Sequence, residues 1–332
     1  AIAAELGMFK EGVNRFLTGR QLEEMPDSEF DGIVESVTVY ARVSPEHKLR
    51  IVAALQKKGE IVAMTGDGVN DAPAIKKSDI GVAMGITGTD VAKESADMVI
   101  TDDNFASIVA AVEEGRIVFD NILKSVKYLL SCNIGEVLVI FLAILVGWDS
   151  PLLPIQILWM NLATDALPAL ALAMDTKAKG IMARKPRSPS MPVLTRNALE
   201  KLAFIGLVIT IGTLALFWLY SDIGGLPKAR TVAFSTIIFF QLFAALSWHA
   251  DHESLLKVGI FSNRYLIGAI LLSLFGQILI VQTGVLEAIF KTVPLSGLDW
   301  AIITAMSSSV LFFEEILKYI AKLRGTSDAS GS

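Results

Sequence analysis

Apolar positions along the chain follow two regimes. Up to about residue 127 they come in short runs separated by polar stretches. From about residue 128 they form long runs broken only by brief charged clusters. In the first regime Val37–Ala41, Ile61–Thr65, Ile80–Met84 and Met98–Thr101 read as strands. Pro45–Lys57 reads as a helix with Ser44 as its cap and Pro45 at its first position, and Ala72–Lys77 and Thr89–Ser95 read as shorter helices. Strands that are nearly continuous in apolar residues and alternate with helices predict a parallel sheet covered on both faces, an α/β domain. Phe105–Glu114 then reads as one helix and Arg116–Trp148 as another of unusual length. Its first half carries Asp120, Lys124 and Lys127, and its second half is apolar.

A helix rises about 1.5 Å per residue and a bilayer's hydrocarbon core is about 30 Å thick, so about 20 apolar residues cross it. Six segments meet that length: 128–148, 151–174, 200–221, 231–249, 264–284 and 298–318. The pattern therefore predicts an α/β domain over residues 1–115, an all-α membrane domain of six transmembrane helices over 116–324, and a small, polar, disordered tail over 325–332. Composition agrees, with 53% hydrophobic and 19% charged residues in 332. Basic residues set the orientation. The 175–201 loop carries seven Lys or Arg residues, and Lys318, Lys322 and Arg324 follow the last segment; the turn 149–151 has none and 285–297 only Lys291. The α/β domain, the 175–201 loop and the C-terminus are thus expected on the cytosolic side. No basic tract suggests nucleic acid, and the single cysteine, Cys132, excludes a disulfide framework or a cysteine metal site. The opening residues Ala1–Gly7 read as the inside of a helix, so the chain is expected to be a piece of a longer protein.

The expected strand 61–65 runs into Gly66-Asp67-Gly68-Val69-Asn70-Asp71. Ligands of a parallel sheet gather beyond the C-terminal ends of its strands. Two acids four residues apart on a glycine-rich turn can put two carboxylates on one hard cation such as Mg²⁺. The glycines allow backbone to approach a phosphate, and Asn70 can donate to a phosphoryl oxygen. The plainer alternative is a surface Asp-Gly turn.

Here a resemblance becomes specific. Thr65–Pro73 looks like the hinge motif of the P-type cation-transporting ATPases, in their haloacid-dehalogenase-like phosphorylation domain. Ala41–Lys48, Asp102–Phe105 and Val112–Arg116 resemble neighbouring segments of that family, and the similarity covers nearly the whole chain. It is similar above all to the sarco/endoplasmic-reticulum-type calcium pumps and their bacterial relatives. The resemblance implies that Lys48 neutralises the transferred phosphoryl charge, that Asp67 binds Mg²⁺, and that Asn70 and Asp71 hold the phosphoryl group with its metal or water. Outside the motif, Lys48 reads as a solvated helix lysine. The family's Asp-Lys-Thr-Gly nucleophile motif is absent. Asp175-Thr-Lys-Ala is a superficial match that follows a membrane segment, not a strand. The resemblance therefore implies a C-terminal fragment that is inactive alone. Its partners are the N-terminal remainder of the pump with its ATP-binding domain, the bilayer (as a multi-pass protein of the plasma membrane) and a transported cation.

Polar groups inside membrane segments are costly and functional by default. Asn133 and Glu136 are spaced i, i+3, and Asn161, Thr164 and Asp165 are spaced i, i+3, i+4, so each set shares a helix face. A short turn makes the two segments antiparallel neighbours, so the sets can converge. Pro168 cannot donate to the carbonyl of Thr164, leaving it free beside Asp165. An all-oxygen set without His or Cys suits Ca²⁺; interhelical hydrogen bonding for packing is the alternative. The resemblance points to calcium too, with further ligands from a missing fourth helix, and it aligns Asp251 with a glutamate ligand of the calcium pump's eighth helix. A solvated loop acid is the other reading of Asp251, which leaves one or two ions per cycle open. Other cations (Na⁺, H⁺, Mn²⁺), a membrane-anchored dehalogenase-superfamily phosphatase and a non-catalytic membrane module are the competing functions. Gly135, Gly206 and Gly212 are expected to allow close helix packing, His249 and His252 to be interfacial, and Glu314 and Glu315 to cap the last segment.

Overall fold

The computed structural model describes residues 2–10, 14–178, 180–188, 190–251 and 253–323, without the side chains of residues 2 and 321–323. His252, Arg324 and the expected tail 325–332 lie outside the described residues. The chain divides into two compact units, Ala1–Val112 and Glu113–Ser332.

The first unit opens on a short helix, α1 (Ile2–Glu5). Strand β1 (Arg15–Thr18) leads through α2 (Gly19–Glu24) and α3 (Asp27–Ile33) to β2 (Val37–Ala41), which pairs with it in parallel. β1 is absent from the sequence pattern because its Arg-Phe-Leu-Thr buries Leu17 alone. Helix α4 (Pro45–Lys57) starts as expected: the Ser44 hydroxyl accepts from the His47 amide, and His47 Nδ1 accepts from the Ser44 amide. Next come β3 (Ala63–Gly66), α5 (Ala72–Lys77), β4 (Ile80–Met84), α6 (Asp90–Ser95) and β5 (Met98–Ile100). β3, β4 and β5 form a parallel sheet in that order. The strands are parallel as expected, but they form two sheets. β2 and β3, although joined by the crossover helix α4, share no ladder among the described residues.

Helix α7 (Phe105–Leu145) is one continuous element of 41 residues, where the sequence suggests two helices parted at Gly115. A lone interior glycine costs a helix only about 1 kcal/mol and stops it only in a left-handed conformation, which Gly115 does not adopt. In the second unit the chain turns through residues 146–153 into α8 (Pro154–Trp159), a π-helical turn (Met160–Thr164) and α9 (Ala166–Ala173). A loop then leads to α10 (Arg196–His249), 54 residues with a break at Gly225 (φ 71°, ψ 173°) and Pro227 just beyond. Gly212 and Phe240 meet across that break, so α10 folds back into two arms packed side by side. The remaining helices are α11 (Leu255–Val258), α12 (Arg264–Gln282), α13 (Gly284–Phe290) and α14 (Gly297–Leu323).

Five helices among the described residues are long and apolar enough to cross a membrane. The expected segments 200–221 and 231–249 are the two arms of the single helix α10. α7 and the first arm interlock through small residues. A Cβ on Gly206 would lie 2.5 Å from Ile134 Cγ2, and one on Gly135 would lie 2.8 Å from Ile209 Cγ2. Both isoleucines are β-branched and held at χ1, so neither can rotate away. Gly206→Ala is therefore expected to destabilise the helical unit by about 1–3 kcal/mol. Gly268→Ala, whose added methyl meets nothing within 4 Å, should not. Thermal unfolding of both variants in detergent reads the difference.

Candidate functional site

In the first unit β3 delivers Asp67 to the C-terminal edge of its sheet. Gly66 is required there: a Cβ would stand 2.4 Å from Asp71 Cβ, because the chain turns back on itself through the 3-10 turn Val69–Asp71. Asp71 is 7% exposed. Its carboxylate pairs with Lys48 of α4 and accepts from the Gly68 amide at 3.4 Å. The structure thus brings Lys48 and Asp71 together and leaves Asp67 and Asn70 exposed beside them. The Asp67 carbonyl accepts from the Thr89 amide at 2.8 Å, which ties the acid's backbone to the loop after β4. Asp103, itself left-handed (φ 50°), holds that loop. It accepts from the amides of Ile86 (2.9 Å) and Thr87 (2.7 Å) and from the Thr87 hydroxyl (2.8 Å). These bonds, led by the one from Ile86, hold its carboxyl at about 2, below the ordinary 3.8.

In the second unit Glu136 of α7 and Asp165, just after the π-helical turn, are 4% and 1% exposed inside the apolar helix cluster. One amide joins them: Gln241 Nε2, from the second arm of α10, lies 2.7 Å from Glu136 Oε1 and 3.5 Å from Asp165 Oδ2. Its Oε1 is buried with no protein partner. Tyr128 supplies a hydroxyl 3.4 Å from Asp165 Oδ1 and 3.5 Å from the Thr164 carbonyl, the one that Pro168 cannot bond. The backbone is irregular here, with the Asp165 amide reaching back five residues to the Met160 carbonyl at 2.9 Å. Thr164 is buried beside Asp165, and its hydroxyl donates to Met160. Asn133 and Asn161 are exposed, and the Asn161 amide nitrogen donates to the Ile157 carbonyl. They do not join the Glu136–Asp165–Gln241 cluster.

Asp251 is elsewhere. It lies past the end of α10 and bridges Lys127 (2.7 Å) and Lys201 (2.9 Å); Lys201 also reaches Glu314 at 3.0 Å. Two lysines already neutralise its carboxylate, which is poor chemistry for a cation ligand. From the same helix, Gln241 is the residue that meets Glu136 and Asp165. Sequence reasoning missed it, although a signal was present: Gln241 is the sole polar residue in the run Ile237–Leu246. His249 is buried against Asp175.

The family model for the C-terminus of cation-transporting ATPases matches residues 149–320. Two models of haloacid-dehalogenase-like hydrolases match residues 3–79 and 48–112. The chain belongs to the P-type cation-transporting ATPases. Among its relatives, calcium-transporting ATPase 1 of Bacillus cereus is 46% identical over 97% of this chain. The calcium-transporting ATPase of Bacillus subtilis is 45% identical over 94%, and the human calcium-transporting ATPase type 2C member 1 is 39% identical over 98%. The chain spans 38%, 35% and 35% of the length of these three relatives.

Asp251→Ala strands two lysines in a mostly buried position, so it is expected to destabilise the helical unit by about 3 kcal/mol in thermal unfolding. A purely cation-binding acid would leave unfolding unchanged or improved. Asp103, with a folded pKa below its unfolded one, contributes stability that is full above about pH 4 and lost as pH falls through about 2. Protection of the Ile86 and Thr87 amides from hydrogen exchange, taken relative to the unprotected rate at each pH, should fall across that window, and Asp103→Asn should remove this pH dependence.

Proposed function

We propose that the chain is the C-terminal part of an ATP-driven calcium pump that works through an aspartyl-phosphate intermediate. The observation that carries this is the meeting of Glu136 and Asp165, two carboxylates buried in an apolar helix bundle beside a broken helix and an amide. Uncompensated charge is expensive in such a place, and a transported divalent cation is a fitting counter-charge. Glu136, Asp165 and the Thr164 carbonyl supply oxygen donors suited to Ca²⁺, and Gln241 turns its Nε2 to both acids. Asn133 and Asn161 stand outside this set, exposed on a face that other helices of the pump would cover. The names of the relatives, calcium-transporting ATPases, favour calcium over Na⁺, H⁺ or Mn²⁺.

At the phosphoryl site the hard oxygen donors suit Mg²⁺. Exposed Asp67 would hold the ion, which supplies positive charge to the phosphoryl oxygens when bound. Asp71 keeps Lys48 in place as a second, fixed positive charge, and Asn70 is positioned to donate a hydrogen bond to the phosphoryl group. The attacked aspartate and the nucleotide site belong to the rest of the pump, since no Asp-Lys-Thr-Gly occurs in these 332 residues. The two arms of α10 count as two crossings, which makes six. Both ends and the basic 175–201 loop then face the cytosol, with the plasma membrane as the host bilayer.

Calcium uptake into vesicles by the intact pump tests the reading. Glu136→Gln and Asp165→Asn should each reduce uptake at least about tenfold. Uptake indifferent to both substitutions, or ATP turnover independent of calcium, refutes calcium as the cargo. The chain alone, given labelled ATP, should acquire no acid-stable, hydroxylamine-sensitive label.

A further inference from the structure

Helix α9 carries the cation-site acid at its head, yet little in its own backbone fixes its position. The π-helical turn and Pro168 interrupt the hydrogen-bond ladder between α8 and α9. Axial position and rotation of α9 therefore do not propagate from α8 and must be set from its other end.

That end is held by an unusually complete set of bonds. Ser125 of α7 donates to the Ala169 carbonyl at 2.7 Å, and Asn263, which caps α12, donates to the Ala171 carbonyl at 2.9 Å. Asn121 of α7 donates to the Asp175 carbonyl at 2.8 Å. The Asp175 side chain is wholly buried. Its carboxylate accepts from Lys124 (2.6 Å), His249 Nδ1 (2.8 Å), Asn263 Nδ2 (3.1 Å) and the Thr176 amide (2.8 Å). His249 Nε2 in turn lies 2.7 Å from the Ser262 hydroxyl. One carboxylate thus joins α7, the end of α9, the end of α10 and the start of α12.

We propose that Asp175 and His249 are positioning residues of the cation site, a clamp that sets the register of α9 against α7. Asp175 lies about 15 Å along the helix direction from Asp165, and Lys124 about 18 Å along α7 from Glu136. A clamp at that distance fixes both acids as a pair, because helices are stiff over three turns. Packing alone would not do this. The hydrophobic effect is non-directional, whereas a buried carboxylate with four directional donors is satisfied in one register. A buried ion pair is also a poor way to gain stability compared with apolar packing, which argues for a role in geometry. The clamp rests on the reading of Glu136 and Asp165 as cation ligands.

The test uses the intact pump in vesicles, with calcium as the probe. Three quantities are read: the half-saturating calcium concentration for ATP turnover, phosphorylation by inorganic phosphate with Mg²⁺ in the absence of calcium, and the unfolding temperature. Asp175→Asn should raise half-saturating calcium about tenfold, the range found when the groups that orient metal ligands are removed, and leave phosphorylation by phosphate within about twofold. His249→Leu should act the same way. His249→Gln, whose amide nitrogen can still donate to Asp175, should restore most of the calcium affinity. Unchanged calcium dependence in Asp175→Asn and His249→Leu overturns the clamp. So does a rise in half-saturating calcium matched by losses in phosphorylation and unfolding temperature, with no difference between the Gln and Leu variants, since that describes a merely structural role. Glu136→Gln is the control: if it leaves the calcium dependence untouched, the cation-site reading has failed, and the clamp falls with it at that step.

Discussion

The desolvation of two neighbouring carboxylates governs the helical unit. Glu136 and Asp165 sit among apolar side chains where a charge has no water to turn to, and like charges side by side make this worse. The surroundings answer with the few polar groups that such a place allows: the amide of Gln241, the hydroxyl of Tyr128 and a loosened turn of backbone before Asp165. Each comes from a different stretch of chain, so the cluster exists only where α7, the broken helix and the second arm of α10 are packed together. The glycine contacts between Gly135, Gly206 and their isoleucines bring α7 and the first arm of α10 close enough for that packing.

The first unit shows the same logic in a wetter setting. Gly66 lets the turn after β3 fold back so tightly that Asp71 is buried and meets Lys48, while Asp67 stays open to solvent. One acid of the motif is thus used internally, to hold a lysine, and the other is available to a cation. Asp103 supports this from behind by anchoring the loop whose Thr89 amide bonds Asp67. Its neighbours serve α7: Asp102 accepts from Ser107, and Asn104 accepts from the Ala106 amide, at the head of that helix.

Much of this was readable from residue order. The cap at Ser44, the helix Pro45–Lys57 and the strands Val37–Ala41 and Ile80–Met84 follow from local signals, and so does the nomination of Glu136 and Asp165 from their placement in apolar runs. Where the reading failed, the missing information was non-local. β1 has no apolar run because only Leu17 faces the core. Gly115 resembles a helix stop until the backbone shows that it stays helical. Asp251 looked like a ligand by alignment, but its partners are lysines from α7 and α10, 124 and 50 residues away.

The sequence by itself determined the two-part organisation, the glycine-acid turn and the two carboxylates in apolar segments, because hydrophobic periodicity and the cost of buried charge act on each segment where it stands. Tertiary structure alone decided which polar groups meet. Gln241 pairs with Glu136 across 105 residues, His249 with Asp175 across 74 and Lys48 with Asp71 across 23. Such pairings depend on which face each helix presents to its neighbours. Packing sets that, and no local pattern records it.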